Sequence, residues 1–184
     1  DAANTIDGKG GVDAMDGKAG NDTYIVDATG DTVAEANGTT DGTDTVKSSV
    51  TYTISDTDVE NLVLTGTGTI DGTGNASANK IDGNALANTI DGAGDADAMA
   101  GGAGNDLYKV DNAGDTVTET STVTTEIDKV ESEVSFILGA NVENLDLTGT
   151  AANGTGNVSA NKIESTSATA VDNVIDGGAG KDTM

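Results

Sequence analysis

The chain has 184 residues, enough for one ordinary domain, and its 32 acidic and 8 basic residues give a formal net charge of -24. With no His, Cys, Pro or Trp, it lacks the groups for Ser-His-Asp or Cys-His nucleophiles and for ordinary zinc, copper or haem sites. The negative charge argues against a nucleic-acid partner, and no apolar stretch is long enough for a bilayer-spanning helix, so no membrane insertion is expected.

Low hydrophobicity with high net charge is the composition of a disordered chain. Regular spacing of the acids argues against that reading. Over residues 4–34 an Asp or Asn recurs every nine positions, each followed two residues later by an apolar side chain: Asn4/Ile6, Asp13/Met15, Asp22/Tyr24 and Asp31/Val33. Gly8, Gly10, Gly11, Gly17 and Gly20, with Ala19, stand between them.

Residues 35–73 lack this spacing. They are rich in Thr and Val in rough alternation, which reads as strands with one face inward. Val46, Val50, Tyr52, Ile54, Leu62 and Leu64 are the expected core there. Asp41 and Asp44 read as solvated turn residues in preference to a further cation site.

The nine-residue spacing resumes over 74–118 with Asn79/Ile81, Asn88/Ile90, Asp97/Met99, Asp106/Tyr108 and Asp115/Val117. Here Gly92, Gly94, Gly101 and Gly104, with Ala103, occupy the turn positions. Residues 119–153 return to the Thr/Val pattern, with Val130, Val134, Phe136, Leu138, Leu145 and Leu147 as core and Asp128 as a solvated turn. One good nonapeptide follows at 156–164. The stretch 165–176 is three residues too long, so a bulge or loop is expected near 165–169. The last segment brings Gly177, Ala179, Gly180 and Asp182.

The whole pattern repeats. NTIDG at 4–8 returns at 88–92, an offset of 84 (88 − 4), and returns as NVIDG at 173–177. The division expected is a first copy over 1–87, a second over 88–172 and the start of a third over 173–184, as in a piece of a longer array.

Residues 101–109, GGAGNDLYK, fit G-G-x-G-x-D-x-U-x, with U a large apolar residue. The spacing has a physical reason. Glycines allow a tight turn, and the apolar residue at position eight faces inward from a short strand. Two nonapeptides make one turn of a solenoid, so each stacks on the next but one. Asp13 should then face Asp31, Asp22 should face Asn4, Asp97 should lie between Asn79 and Asp115, and Asp106 should face Asn88. Turn carbonyls and position-six carboxylates meet between turns as an all-oxygen site suited to Ca²⁺, which takes six to eight hard ligands.

These residues resemble the RTX, or repeats-in-toxin, family, and the chain is similar to the repeat regions of large secreted adhesins, surface-layer and hemolysin-type proteins. The resemblance implies an all-β, right-handed parallel β-solenoid (a calcium β-roll), with turns lacking calcium loops between the nonapeptides. Ca²⁺ is the implied cofactor. Its implied ligands are the turn and position-six residues named above: Gly8, Gly10, Gly11, Asp13, Gly17, Ala19, Gly20, Asp22, Asp31, Asn79, Asn88, Gly92, Gly94, Asp97, Gly101, Ala103, Gly104, Asp106, Asp115, Gly177, Ala179, Gly180 and Asp182. Type I secretion and an extracellular or cell-surface location are also implied.

The chain departs from the family pattern in places. Lys9 and Lys18 replace the second glycine, Asp95 stands at position four, Asn replaces Asp at 4, 79 and 88, and 110–118 lacks glycine at positions one and four. The leading expectation is a structural repeat without enzymatic activity, open to end-to-end or lateral self-association, whose glycan or protein receptor the sequence does not name. A second reading is the calcium module of a secreted enzyme or toxin with its catalytic domain elsewhere. A third is ice binding by a Thr ladder, disfavoured because Thr73 and Thr155 come once per copy rather than every turn.

Overall fold

The computed structural model describes residues 2–35, 42–149, 153–166 and 172–184. Within them every element is a strand, and the strands wind into a parallel β-solenoid of about nine turns. Odd-numbered strands form one face. β1 (Thr5–Asp7), β3 (Thr23–Val26), β5 (Thr45–Ser48), β7 (Asn61–Leu64), β9 (Lys80–Asp82), β11 (Ala98–Ala100) and β13 (Thr116–Thr118) make a seven-stranded sheet. β15 (Phe136–Ile137), β17 (Asn153–Thr155) and β19 (Val174–Asp176) continue it as a three-stranded one.

Even-numbered strands form the other face. β2 (Ala14–Asp16) pairs with β4 (Thr32–Ala34). β6 (Tyr52–Thr53), β8 (Gly72–Thr73), β10 (Thr89–Asp91), β12 (Leu107–Val110), β14 (Lys129–Ser132), β16 (Asn144–Leu147) and β18 (Lys162–Ser165) make the second seven-stranded sheet. No helix among the described residues is long and apolar enough to cross a membrane.

Register follows from the nine-residue period. Two nonapeptides per turn put residue i beside i+18: Thr5 beside Thr23, Ala14 beside Thr32, Thr89 beside Leu107 and Ala98 beside Thr116. The Thr/Val segments continue the same ladder, as Val46 pairs with Tyr24 and Leu62 in one copy and Val130 with Tyr108 and Leu145 in the other. Turn length varies without breaking the stack. The step from Asp22 to Asp44 is 22 residues and that from Asn161 to Asp182 is 21. The latter contains the expected three extra residues; of the expected loop at 165–169, positions 167–169 lie outside the described residues, as does Asp41.

Position-eight residues fill the interior. Met15, Tyr24, Val33, Ile81, Ile90, Met99 and Tyr108 are buried, joined by Val46, Leu62, Leu64, Val130, Leu145, Leu147 and Ile163. Strand alternation sends their neighbours outward. Val50, Val134, Val117 and Phe136 are only partly buried and pack against this core from its margin. Lysines stay on the outer surface, where Lys9 pairs with Asp7 at 2.7 Å and Lys109 with Asp91 at 3.3 Å.

The strand count per copy is odd. β10 lies 84 residues after β1 and repeats its sequence, so nine strands, or four and a half turns, separate equivalent points. A feature on one face in the first copy therefore lies on the opposite face in the second. Accordingly, β3 and β5 belong to one seven-stranded sheet and their equivalents β12 and β14 to the other.

Candidate metal centre

The position-six residues stack into two columns, one along each edge of the solenoid. At most steps the backbone N–H of one residue donates to a side-chain oxygen of the next turn, while at Glu60 to Asn79 and Glu143 to Asn161 the Asn amide donates back to the glutamate carbonyl. Along the first column Asn4 donates to Asp22 (2.6 Å), Asp22 to Asp44 (2.6 Å), Asp44 to Glu60 (2.8 Å), Asn79 to Asp97 (2.7 Å) and Asp97 to Asp115 (3.0 Å). The second column runs from Asn88 to Asp106 (2.8 Å), Asp106 to Asp128 (2.8 Å) and Asp128 to Glu143 (2.9 Å), with Asn161 donating to Asp182 (3.0 Å). Asp13 donates to Asp31 at 3.0 Å. All four facings expected from the nine-residue period are present.

What the second side-chain atom does divides the nonapeptides into three kinds. Where Asp accompanies a glycine-led turn, Oδ2 of Asp13, Asp22, Asp97 and Asp106 is buried and has no hydrogen-bond partner. Each such oxygen lies over the position-one glycine of its own nonapeptide. A Cβ placed on Gly101 would sit 2.2 Å from Asp106 Oδ2, and one on Gly8 2.6 Å from Asp13 Oδ2. Glycine is needed at these positions because the carboxylate occupies the space of a side chain. In the last segment Asp182 Oδ2 approaches Gly177 in the same way, at 2.6 Å.

Where Asn stands at position six, the amide satisfies itself. Asn79 Oδ1 accepts the Asn75 N–H at 2.7 Å, and its Nδ2 donates to the carbonyls of Val59 and Glu60 in the preceding turn. Asn88 and Asn161 do the same with Asn84 and Ile70, and with Asn157 and Val142. The NH₂ group thus takes the place between turns where a cation would face carbonyls.

The third kind is 26–34 and 110–118, the nonapeptides without leading glycines. Both oxygens of Asp31 and Asp115 are occupied by backbone N–H groups. Asp115 Oδ2 accepts from Asp111 and Asn112 at 3.1 Å each, and Asp31 Oδ2 accepts from Asp27 and Ala28 at 3.1 Å each.

The turns also explain the departures from the glycine pattern. Positions two and four need a left-handed backbone, and non-glycine residues adopt it: Lys9 at φ 67°, Lys18 at 72°, Ala93 at 67° and Asp95 at 69°. Gly11, Gly20, Gly104 and Gly180, at φ 127–139°, reach a region that side chains rarely enter.

Electrostatics mark Asp97 and Asp106 among these carboxylates, and Asp128 beside them. Burial pushes Asp97 up to about 7; the Asn79 N–H pulls the other way, and Asp115, Asp111 and Asp95 add repulsion. Burial likewise raises Asp106 to about 7, with Asp128, Glu119 and Glu126 repelling it, and Asp128 to about 6. Carboxylates held this way gain from a cation that supplies the missing positive charge. The donors are all oxygen, which suits a hard ion such as Ca²⁺.

The solvated-turn reading of Asp44 and Asp128 is overturned. Both are buried, at 0% and 2% exposure, because the Thr/Val segments continue the columns and carry these carboxylates into the position-six place. Each joins a cluster that sequence reasoning missed: Asp22 with Glu35 and Asp44, and Asp106 with Glu119 and Asp128. A signal was available, because Tyr24 to Glu35 and Tyr108 to Glu119 share a separation of eleven residues.

The model of the RTX calcium-binding nonapeptide repeat matches the chain in four copies, over residues 1–32, 73–108 and 168–184. No curated protein and no solved structure matches it.

Proposed function

We propose, for a chain that is an RTX calcium-binding repeat solenoid, that it serves as a calcium-stabilised structural repeat of a secreted surface protein, of the adhesin, surface-layer or surface-filament kind. The observation that carries this reading is the set of buried, unpartnered Oδ2 atoms of Asp13, Asp22, Asp97 and Asp106, each over a glycine. A buried oxygen without a partner costs about 1–3 kcal/mol, and more when charged. A structure that repeats this arrangement along two edges gains its stability from the ion that fills it.

The ligands proposed are these four carboxylates and Asp182, with carbonyls of the turn residues Gly8, Gly10, Gly11, Gly17, Ala19, Gly20, Gly92, Gly94, Gly101, Ala103, Gly104, Gly177, Ala179 and Gly180. Asp31, Asn79, Asn88 and Asp115 close the stack between them through hydrogen bonds of their own. Calcium supplies positive charge between turns. The chain's residues hold the carboxylates in place, since Oδ1 of Asp22, Asp97, Asp106 and Asp182 each accepts a backbone N–H from the preceding turn.

Export before folding follows from calcium dependence. A ligand at about 1,000 times its dissociation constant adds about 4 kcal/mol per site. Outside the cell calcium is abundant and the fold is favoured; inside it is scarce and the chain stays open for secretion.

Circular dichroism tests the reading. The chain in calcium should give a β spectrum and a cooperative melt. Excess chelator should convert it to a largely disordered one. An unchanged spectrum and melting temperature after chelation would sink the proposal.

A further inference from the structure

Glu119 and Asp128 lie outside the segments that match the nonapeptide repeat, yet both are buried beside Asp106. We propose that Asp106, Glu119 and Asp128 form a further calcium site, one per 84-residue copy, with Asp22, Glu35 and Asp44 as its counterpart in the first copy. The inference rests on the calcium reading above and shares Asp106 and Asp22 with it, but adds Glu119, Asp128, Glu35 and Asp44, which lie outside the matched nonapeptides.

Each carboxylate is oriented through one oxygen. Asp106 Oδ1 accepts the Asn88 N–H at 2.8 Å, and Asp128 Oδ1 accepts the Asp106 N–H at 2.8 Å. The Tyr108 hydroxyl donates to Glu119 Oε1 and accepts the Gly101 N–H at 2.7 Å. A buried tyrosine thus locks the glutamate to the turn of the nonapeptide. Asp106 Oδ2 and Glu119 Oε2 are left without hydrogen-bond partners, on residues only 2% and 7% exposed. One ligand oxygen from each of the three residues lies within 4.8 Å of the others.

The lysine beside Asp128 does not neutralise this charge. Lys129 turns away to Glu131 at 2.7 Å and Asp146 at 3.4 Å. Three carboxylates offering only oxygen suit a hard cation that tolerates irregular geometry, which favours Ca²⁺ over Mg²⁺. A pocket of about 130 Å³, lined by Ser121, Glu126, Asn141 and Glu143, touches the cluster at Asp128 and has room for water beside it. The first copy reproduces the lock: the Tyr24 hydroxyl donates to Glu35 and accepts the Gly17 N–H at 2.8 Å, and Asp22 Oδ2 lacks a partner. By the half-turn offset the two sites lie on opposite edges.

Terbium, which occupies calcium sites and emits when a nearby aromatic ring is excited, gives the test. The chain has no Trp and 3 Tyr, and two of these are bonded to the site glutamates. In the full chain, Glu119→Gln should lower tyrosine-sensitised terbium emission and reduce the calcium stoichiometry by one. Asp128→Asn should do the same, and Glu35→Gln with Glu119→Gln should reduce the stoichiometry by two and leave only the emission from the glycine-led turns that Tyr24 and Tyr108 also touch. Asp97→Asn, which belongs to neither tyrosine-bonded cluster, should lower the stoichiometry and leave the emission unchanged.

Thermal stability in calcium gives an independent sign. Without a cation, neutralising one of three clustered charges raises the melting temperature. With one, Glu119→Gln or Asp128→Asn lowers it, and failure of either variant to fold is the extreme of that outcome. Unchanged emission and stoichiometry, or a raised melting temperature in calcium, overturns the inference. Loss of the parent chain's calcium-induced folding would instead overturn the proposed function.

Discussion

A single oxygen decides what each nonapeptide does. Asp106 and Asn88 occupy the same place in adjacent turns, but the carboxylate leaves Oδ2 without a partner while the amide donates to Ile70. The raised acids make the difference measurable by pH. Asp97 and Asp106 sit at about 7 and Asp128 at about 6, against 3.8 for an ordinary aspartate, with burial the main cause in each. The calcium-free folded chain therefore holds these protons more tightly than the unfolded chain does. The stability they contribute is fully present below pH 3.8 and is lost as pH rises through 6 and 7. In calcium-free buffer, β signal in circular dichroism should grow as pH falls from 8 to 5. Calcium affinity should fall over the same range, because protons compete for the same oxygens. A calcium-free spectrum that does not change between these values would count against the buried, ion-poor state of these carboxylates.

At the scale of the element, two kinds of turn should respond differently to loss of their aspartate. Asp115 accepts N–H bonds from Asp97, Asp111 and Asn112 at 3.0–3.1 Å, so its turn is closed by the chain itself. Asp115→Ala should cost about 3 kcal/mol, the scale of hydrogen bonds to a charged group, without changing the number of bound calcium ions. Asp97→Asn copies Asn79 and should remove one ion while the turn stays closed. Titration calorimetry and melts in calcium separate the two, and equal losses of stoichiometry would contradict the division. This division was only half legible in the sequence. The nine-residue period gave the strands, the facings and the glycine-led turns, because stacking by two nonapeptides leaves few alternatives. It also marked 110–118 as atypical. It did not show that Asp111 and Asn112 turn their N–H groups onto Asp115, since that depends on local backbone shape. Glu35, Asp44, Glu119 and Asp128 were hidden for another reason. Asp44 and Asp128 reach the columns through turns of 22 residues, so a fixed step of 18 passes over them, and Glu35 and Glu119 join through the tyrosine hydroxyls eleven residues earlier.

Across the whole molecule, the odd number of strands per copy ties the copies together. Each face has one place where no strand pairing joins neighbours among the described residues: β4 to β6 on the even face and β13 to β15 on the odd face. They are equivalent points in the two copies, placed on opposite faces by the half-turn offset. Beside the first break, β3, β5 and β7 run unbroken; beside the second, β12, β14 and β16 do. The odd-face sheet runs from β1 in the first copy to β13 in the second, and the even-face sheet from β6 to β18. Neither copy can leave the stack without stripping a sheet it shares with the other. Repeat arrays couple through such nearest-neighbour interfaces. In saturating calcium the chain should therefore melt in one transition, with calorimetric and van't Hoff enthalpies agreeing. An even strand count would have set both breaks on the same face and left that face as a line of weak points. Two resolved transitions, or a van't Hoff enthalpy near half the calorimetric one, would show that the copies unfold separately and that the shared sheets do not couple them.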